Sequence, residues 1–390
     1  MPTEVISLGC RLNLSESEVL RAMLAGEPDL VVINSCAVTG EAVRQTRQAI
    51  RRARRDHPAA RLIVTGCAAE VEREALTGMA EVDGLIANQA KLDPRAWNVA
   101  AERAAPRPSH TRAFIAVQNG CDHACTFCII PQGRGASRSL AVPDALREVE
   151  RHLGAGVGEV VLTGVDLTSW GHDLPGRPGL GVLVAAILTA FPALPRLRLS
   201  SLDGIEIDQL LLELLASEPR VMPHVHLSLQ HGDDLILKRM KRRHLRDDAI
   251  RLVDTLRQQR PEIAIGADLI AGFPTEDDRA HAANLSIIRE LGIVHGHVFP
   301  YSTRAGTPAA RMPQVPPTII KSRAAELREA VAGERAAWLQ TLLDKPQEVL
   351  AERDGTGHAP NFARVQLAPG TQAGTIVTVT PTRIVEGLLA

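Results

Sequence analysis

The sequence lacks any excess of charge of one sign: 44 Lys and Arg stand against 45 Asp and Glu over 390 residues. Such a balance offers no overall field to a polyanion, so any nucleic-acid footprint has to be local. No run of about 18 apolar residues is present, which excludes a membrane-spanning helix. The N-terminal "MPTEVISLGC" has neither a basic n-region nor a cleavage-type motif, so the expectation is a cytoplasmic protein without membrane contact. Cysteine is sparse as well. Six in a chain of this length are too few for a disulfide scaffold, and in a reducing compartment clustered thiols take metal or catalytic roles. At 45% hydrophobic and 23% charged residues, nothing suggests disorder or a fibrous repeat, and the length allows two or three domains with cores of their own.

What is there is distinctive in its placement. Cys121, Cys125 and Cys128 sit within "GCDHACTFCIIP", while Cys10, Cys36 and Cys67 are dispersed, each closing a short apolar run: "EVISLGC", "DLVVINSC" and "RLIVTGC". Between these runs lie helical patterns, "SESEVLRAML" and "GEAVRQTRQAIRRARRD", the second stopped by Pro58. Strand, helix, strand, helix reads as an N-terminal parallel α/β domain, taken as residues 1–104. Ligands of such sheets gather outside the carboxyl ends of the strands, so the three dispersed cysteines are expected at one edge.

"AAERAAPRPSHTR", residues 100–112, has no apolar periodicity and reads as a linker. Beyond it, "RAFIAVQNG", "EVVLTGVD", "RLRLSSLD", "HVHLSLQ", "AIGADLIAGF" and "IVHGHVFPYS" are strand candidates, mostly separated by helical segments. Six strand and helix repeats over residues 110–316 predict an open (β/α)6 barrel with its functional residues on loops at the strand C-terminal ends. The tight cysteine trio follows the first of these strands. A charged helical connection (317–340, running on toward 343) leads to "KPQEVLAE", "NFARVQLA", "TIVTVT" and "RIVEGLLA", short strands of a small all-β barrel over 341–390.

Three thiolates in one loop call for a metal. Structural zinc takes four ligands, often from paired Cys-x-x-Cys motifs; here the spacing is C-x3-C-x2-C, and His123, lying inside the loop, would have to fold back to complete a tetrahedron. A four-iron cluster takes one thiolate per iron, so three thiolates leave one iron open, as a catalytic metal site does. The dispersed trio supplies three further thiolates and a second such site, although a single strand-end cysteine is more often an inert buried thiol.

C-x3-C-x2-C after the first barrel strand, with Phe127 before the third cysteine, resembles the radical S-adenosylmethionine enzymes. The whole chain resembles their methylthiotransferase family through "GCRLNLSESE", "VINSCAVTGEAVRQTR", "IVTGCAAE", "NGCDHACTFCIIPQGRGASRS", "LTGVDLTSWG", "GADLIAGFPTE" and "FPYSTRAGTPAARM". The resemblance implies a radical SAM barrel, a C-terminal TRAM module, S-adenosylmethionine and two 4Fe–4S clusters. Cys121, Cys125 and Cys128 would hold the radical-generating cluster, and Cys10, Cys36 and Cys67 the auxiliary, sulfur-bearing one. In the family the open iron binds the amino and carboxylate groups of S-adenosylmethionine, whose cleavage gives a 5′-deoxyadenosyl radical.

"RLRLSSLDGIEID" and "HVHLSLQHGDDLILKRMKRRH" resemble most the MtaB-like branch, which methylthiolates C2 of N6-threonylcarbamoyladenosine at position 37, in the anticodon loop of tRNA. The alternatives are isopentenyladenosine in tRNA or a ribosomal-protein aspartate as acceptor and, from another class, a zinc-stabilised RNA-binding protein. The family's chemistry further implies an electron donor such as flavodoxin or ferredoxin and a sulfur source.

For the cofactor pocket the candidates are Phe127, Gly164, Asp166, Ser201, Gln230 and Asp268, chosen at barrel strand ends; a loop-stabilising hydrogen bond is the plainer role for each polar one, and a core role for Phe127. Arg134 and Arg138 are candidates for a carboxylate or phosphate. Two local basic features qualify as RNA contacts: Arg44, Arg47, Arg51 and Arg55 along one face of a helix, and "KRMKRRHLR" from Lys238 to Arg246. The C-terminal module is a poor candidate, with four Lys or Arg against five Asp or Glu and Phe362 as its one aromatic residue.

Overall fold

The computed structural model describes residues 1–100 and 111–390. The N-terminal part runs β1 (Glu4–Ser7), α1 (Arg11–Met23), β2 (Leu30–Ser35), α2 (Gly40–Asp56), β3 (Arg61–Gly66), α3 (Cys67–Val71), α4 (Arg73–Thr77) and β4 (Gly84–Leu85). Its four strands are parallel in the order β1-β2-β3-β4. β2 is buried throughout, as a central parallel strand of Val, Ile and Leu should be. Ser7 pairs with Asn34, and Asn34 with Thr65. Cys10, Cys36 and Cys67 therefore follow three strands that end level with one another.

The central part contains β5 (Arg112–Ala116), β6 (Gln118–Asn119), α5 (Ile130–Arg134), β7 (Arg138–Ser139), α6 (Val142–Gly154), β8 (Glu159–Thr163), α7 (Leu180–Ala190), β9 (Leu197–Leu199), α8 (Gln209–Ser217), β10 (His224–Gln230), α9 (Asp234–Arg239), α10 (Arg246–Gln259), β11 (Ala264–Ala271), α11 (Asp278–Glu290) and β12 (Ile293–Pro300). Six parallel strands follow one another as β5-β8-β9 and β10-β11-β12, the two sets joined by parallel bridges Leu197 to Val221 and Leu202 to Leu227. Most of the expected linker lies outside the described residues, and its last residue, Arg112, begins β5.

α12 (Pro317–Gln340) is helical over the expected connection and stops at Gln340, short of 343. The C-terminal sheet has six strands rather than four: β13 (Gln347–Ala351), β14 (Thr356–His358), β15 (Arg364–Gln366), β16 (Ile376–Val379), β17 (Ile384–Val385) and β18 (Leu388–Leu389), ordered β16-β13-β14-β15-β18-β17. "RIVEGLLA" is a hairpin of two strands turning at Glu386 and Gly387, both at positive φ. β14 was not anticipated because "TGH" lacks the β-branched, alternating texture that marks a strand.

Buried charge joins these parts. Glu16, 2% exposed on α1, meets Lys91 Nζ at 2.5 Å and Arg134 Nη1 at 2.9 Å, with Arg134 Nη2 donating to Asn13 Oδ1. Lys91 Nζ also donates to Asn34 Oδ1 (3.1 Å), and Ser15 Oγ to the Phe114 carbonyl of β5 (2.7 Å). Burial alone would raise the Glu16 carboxyl; the charges of Lys91 and Arg134 outweigh it and hold the group below its ordinary value. At the opposite end Arg198 is fully buried against Glu159 (2.8 Å), and both Arg196 and Arg198 reach the C-terminal module, donating to the carbonyls of His358, Glu348 and Pro360 at 2.8–3.1 Å.

Removing one member of a buried ion triad leaves its partners uncompensated, a loss of about 3–5 kcal/mol. Glu16→Gln is therefore expected to lower the thermal midpoint sharply, while Glu41→Gln, which removes an exposed pair with Arg44, leaves it unchanged; differential scanning calorimetry compares them. Because the folded Glu16 pKa lies below the unfolded value, its contribution is complete above about pH 4.3 and declines as acidity increases beyond that.

Candidate two-cluster site

Each dispersed cysteine is placed by its strand. Cys10 is the N-cap of α1, Cys36 follows β2, and Cys67 is the first residue of α3. The glycines before two of them make room: a Cβ on Gly9 (φ 94°) would lie 2.6 Å from Cys36 Cβ, and one on Gly66 (φ 89°) would collide with the Ser35 backbone. Cys36 and Cys67 are buried and Cys10 is exposed; all six thiols of the chain are free. Burial, with Cys10 and Cys67 nearby, pushes the Cys36 thiol up to about 11. The Cys67 thiol is also raised by burial, and Arg134 and Lys91 oppose the rise. A bound cation would deprotonate such thiols outright.

The tight trio lies on the loop between β6 and α5. Cys128 is pushed up to about 11 and Cys121 higher still, both mainly by burial, with Asp166 adding to the rise at Cys121. His123 turns its ring toward Asp166 (2.8 Å) and Glu206 (3.6 Å), while its backbone N–H donates to Cys121 Sγ (3.4 Å). Among the described residues, the compact group at this loop that could hold a single metal ion joins Cys121 to His123 and Asp166 and leaves out Cys125 and Cys128; a four-iron cluster takes its three thiolates on separate irons.

The two trios are brought together by α5, which starts two residues after Cys128. Gly133 packs against Cys67, where a Cβ would come 3.2 Å from the Cys67 Cβ, and the Gly133 carbonyl accepts from Asn88 Nδ2 (2.6 Å). The next residue, Arg134, enters the Glu16 triad. One turn of helix thus ends beside each set of thiols.

Of the proposed cofactor contacts, Asp166 lies against the loop, 3.6 Å from Cys121 Sγ, and accepts from Ser169 Oγ (2.8 Å). Gly164 leaves space for Gln118, whose Oε1 accepts from the Asp166 backbone N–H (2.9 Å). Gln230 ends β10 at φ 70°, and Ser201 is half-buried just beyond β9. Phe127 packs edge-on against Phe273 (6.3 Å between centroids) in a cluster with Ile236, Met240 and Tyr301. Asp268 departs from the expectation of a strand end. It sits in the middle of β11, bound to His226 Nε2 and His297 Nδ1, each at 3.1 Å, and their hydrogen bonds hold it well below the usual carboxylate range against its burial.

Arg242 and Arg243 are site residues that the sequence reading assigned to a surface. Arg242 points Nη1 at Cys125 Sγ (3.6 Å) and bonds Asp203 (2.9 Å); Arg243 bonds Glu206 (2.6 Å) and Asp203 (3.1 Å). With Arg239 on Thr275 and Arg246 on Glu290 and the backbone of Gly232 and Ala283, most of "KRMKRRHLR" is consumed internally. Its partners lie far away in sequence, which hid them. Arg134 takes a carboxylate as foreseen, but the carboxylate is Glu16; Arg138 caps the Ala136 and Arg134 carbonyls. On α2, by contrast, Arg44, Arg51, Arg52 and Arg55 keep 62–78% of their side chains exposed.

Below the loops, polar side chains line the inner face of the strands: Arg112, Glu159, Arg198, His224, His226, Asp268, His295 and His297. Phe362 of the C-terminal module inserts among them, stacked on His358 (4.5 Å) and His224 (5.0 Å). Its ring is therefore engaged inside the protein and is not a platform for a base. Burial pushes His295 down to about 3.

Comparison with known proteins agrees with this architecture. The radical SAM superfamily matches residues 115–285, and the uncharacterized protein family UPF0004 matches residues 3–87. The threonylcarbamoyladenosine tRNA methylthiotransferase MtaB of Rickettsia prowazekii is 42% identical, covering 99% of this chain and 96% of that protein. The tRNA-2-methylthio-N(6)-dimethylallyladenosine synthase of Novosphingobium aromaticivorans is 32% identical, covering 96% and 93%. Among solved structures, the radical S-adenosylmethionine methyltransferase TsrM of Kitasatospora setae shares the fold at a TM-score of 0.54 and 16% identity, over 76% of this chain and 68% of that one. No helix among the described residues is long and apolar enough to cross a membrane. An N-terminal parallel sheet and a radical SAM barrel in one chain, matched from end to end by a relative at 42% identity, make this protein a member of the radical S-adenosylmethionine tRNA methylthiotransferase family.

Proposed function

We propose that the chain transfers a methylthio group to C2 of N6-threonylcarbamoyladenosine at position 37 in the anticodon loop of tRNA. The observation that carries this reading is the joining of two cysteine trios through α5, whose Gly133 packs on Cys67 and whose Arg134 enters the Glu16 triad. The higher identity to the MtaB-named relative, 42% against 32% for the dimethylallyladenosine synthase, supports the threonylcarbamoyl substrate. Such a substrate sets the work in the cytoplasm.

In this reading Cys121, Cys125 and Cys128 hold one 4Fe–4S cluster and Cys10, Cys36 and Cys67 the other. The adenine C2–H is not acidic near neutral pH, so no carboxylate or imidazole base activates it; the clusters with S-adenosylmethionine supply the radical and the methylthio sulfur when bound. The protein's residues supply charge, position and exclusion of water. Lys91 and Arg134 exceed Glu16 by one positive charge beside Cys67, which favours thiolates there. Arg242 opposes the rise at Cys128 and donates to Cys125 Sγ. Asp166, held by Ser169 and by the His123 ring, and Gln230 at the end of β10 are placed to orient the polar groups of S-adenosylmethionine, with Gly164, Ser201 and Phe127 shaping that pocket. The exposed arginines of α2 offer the phosphate contacts. A one-electron donor such as flavodoxin or ferredoxin and a sulfur source complete the cycle.

Nucleosides from tRNA of a deletion strain, analysed by mass spectrometry, are expected to lose 2-methylthio-N6-threonylcarbamoyladenosine; retention of that nucleoside, or loss of the isopentenyl derivative instead, overturns the assignment. Anaerobic preparations should be brown with about eight irons per chain, where a zinc-stabilised binding protein would be colourless. Cys125→Ala should abolish 5′-deoxyadenosine formation and Cys36→Ala should spare it while stopping thiolation; identical behaviour of the two rejects the division of roles. Replacing Arg52 and Arg55 together by Gln should weaken tRNA binding and flatten its dependence on log[salt] by up to about two units, read by filter binding across a salt series.

A further inference from the structure

Three guanidinium groups surround the Phe362 ring: Arg198 at 4.8 Å, Arg11 at 5.4 Å and Arg112 at 5.5 Å from its centroid. Two of them have carboxylates. Arg198 is bound to Glu159 and Arg112 to Glu352, each at 2.8 Å. The side chain of Arg11 makes no ion pair or hydrogen bond among the described residues; its guanidinium lies over the ring of Phe362. The acids near enough to act on it are Glu159 and Asp268, and the cations Arg112 and Arg198 oppose them. Both acids are committed elsewhere, Asp268 to His226 and His297 and Glu159 to Arg198. The same lumen holds further unused polar atoms. His224, 3% exposed, has neither ring nitrogen bonded, and Arg112 Nη1 is buried without an acceptor. A half-buried cation without a protein counter-ion, beside unsatisfied donors, is suited to receive an anion.

We infer that Arg11 binds the carboxylate of the threonyl group on the substrate nucleoside and so selects that nucleoside over one with an apolar N6 substituent. The inference rests on the substrate proposed above. A threonylcarbamoyl group ends in a carboxylate, to which a guanidinium makes a paired, charge-assisted hydrogen bond. An isopentenyl group leaves the same cation desolvated and unpaired, and a site built for a polar group rejects an analogue lacking it far more strongly than an apolar pocket rejects an extra methylene. The position also suits the chemistry. In adenine only N1 separates C2 from C6, so whatever grips the N6 substituent fixes where C2 lies. Arg11 is the residue after Cys10, hence the grip is one peptide unit from a proposed ligand of the sulfur-bearing cluster. The acids facing this space are already paired, Asp268 with two histidines, Glu159 with Arg198 and Glu352 with Arg112, which leaves the Arg11 side as the favourable one. S-adenosylmethionine also carries a carboxylate, but its proposed contacts are on the loops at the opposite, C-terminal ends of the strands, while Arg112 and His224 begin theirs.

The test uses the anaerobically reconstituted full chain, its Arg11→Gln and Arg11→Lys variants, and two anticodon stem-loops, one with N6-threonylcarbamoyladenosine and one with its threonyl methyl ester. Wild type should prefer the acid by about 10⁴-fold in kcat/KM. Arg11→Gln should lose most of that preference by slowing on the acid alone, and Arg11→Lys should keep much of it. Iron content and 5′-deoxyadenosine formation without RNA should stay at wild-type levels in both. Equal losses on acid and ester, preserved discrimination in Arg11→Gln, or a raised Kd for S-adenosylmethionine would each overturn the inference; should Arg11→Gln lose iron, the Arg11→Lys preference decides. A wild-type enzyme inert on both RNAs overturns the substrate reading itself, whereas a wild-type enzyme active on both without preference refutes Arg11 alone.

Discussion

The structure turns on one buried carboxylate. Glu16 lies between Lys91 and Arg134, and these three come from α1, from the segment after β4, and from the helix that follows the tight cysteine loop. Without this charge the cations next to Cys67 would repel each other in a medium that screens them poorly. With it, they become a rigid post on which the N-terminal sheet and the helix after the tight cysteine loop are registered. The net surplus of one positive charge is not waste, because it faces thiols whose burial opposes ionisation.

The same logic of surplus and balance runs through the barrel. Arg242 near Cys125 is offset by Asp203, Arg243 by Glu206, and Asp268 by two histidines. The segment after α9 is thus tied to the loop following β9, and Asp268 to the two strands that flank β11. This is the preorganisation that a radical reaction needs, since the protein's contribution is placement.

The placement of both cysteine trios was legible from spacing, because three thiols in one loop and three at strand ends leave a local signature. The parallel sheet and the helix at 317–340 were legible from periodicity. What stayed hidden depends on partners distant in the chain. "KRMKRRHLR" reads as a basic surface until Asp203, Glu206, Thr275 and Glu290 fold against it. Asp268 reads as a strand-end residue until the bounds of β11 put it in mid-strand. Arg11 sits in plain view beside Cys10, yet nothing local tells that the acids near it are paired with Arg198 and with two histidines.

Phe362 gives the C-terminal module a role inside the barrel. Its ring, on a loop whose flanking carbonyls are held by Arg196 and Arg198, fills the end of the lumen where β5 and β10 begin with Arg112 and His224. The module is a stopper. A chain lacking it would leave Glu159, Arg198 and His224 facing bulk solvent and give water, and dissolved oxygen, a back door into a chamber where open-shell carbon has to survive until it meets its target.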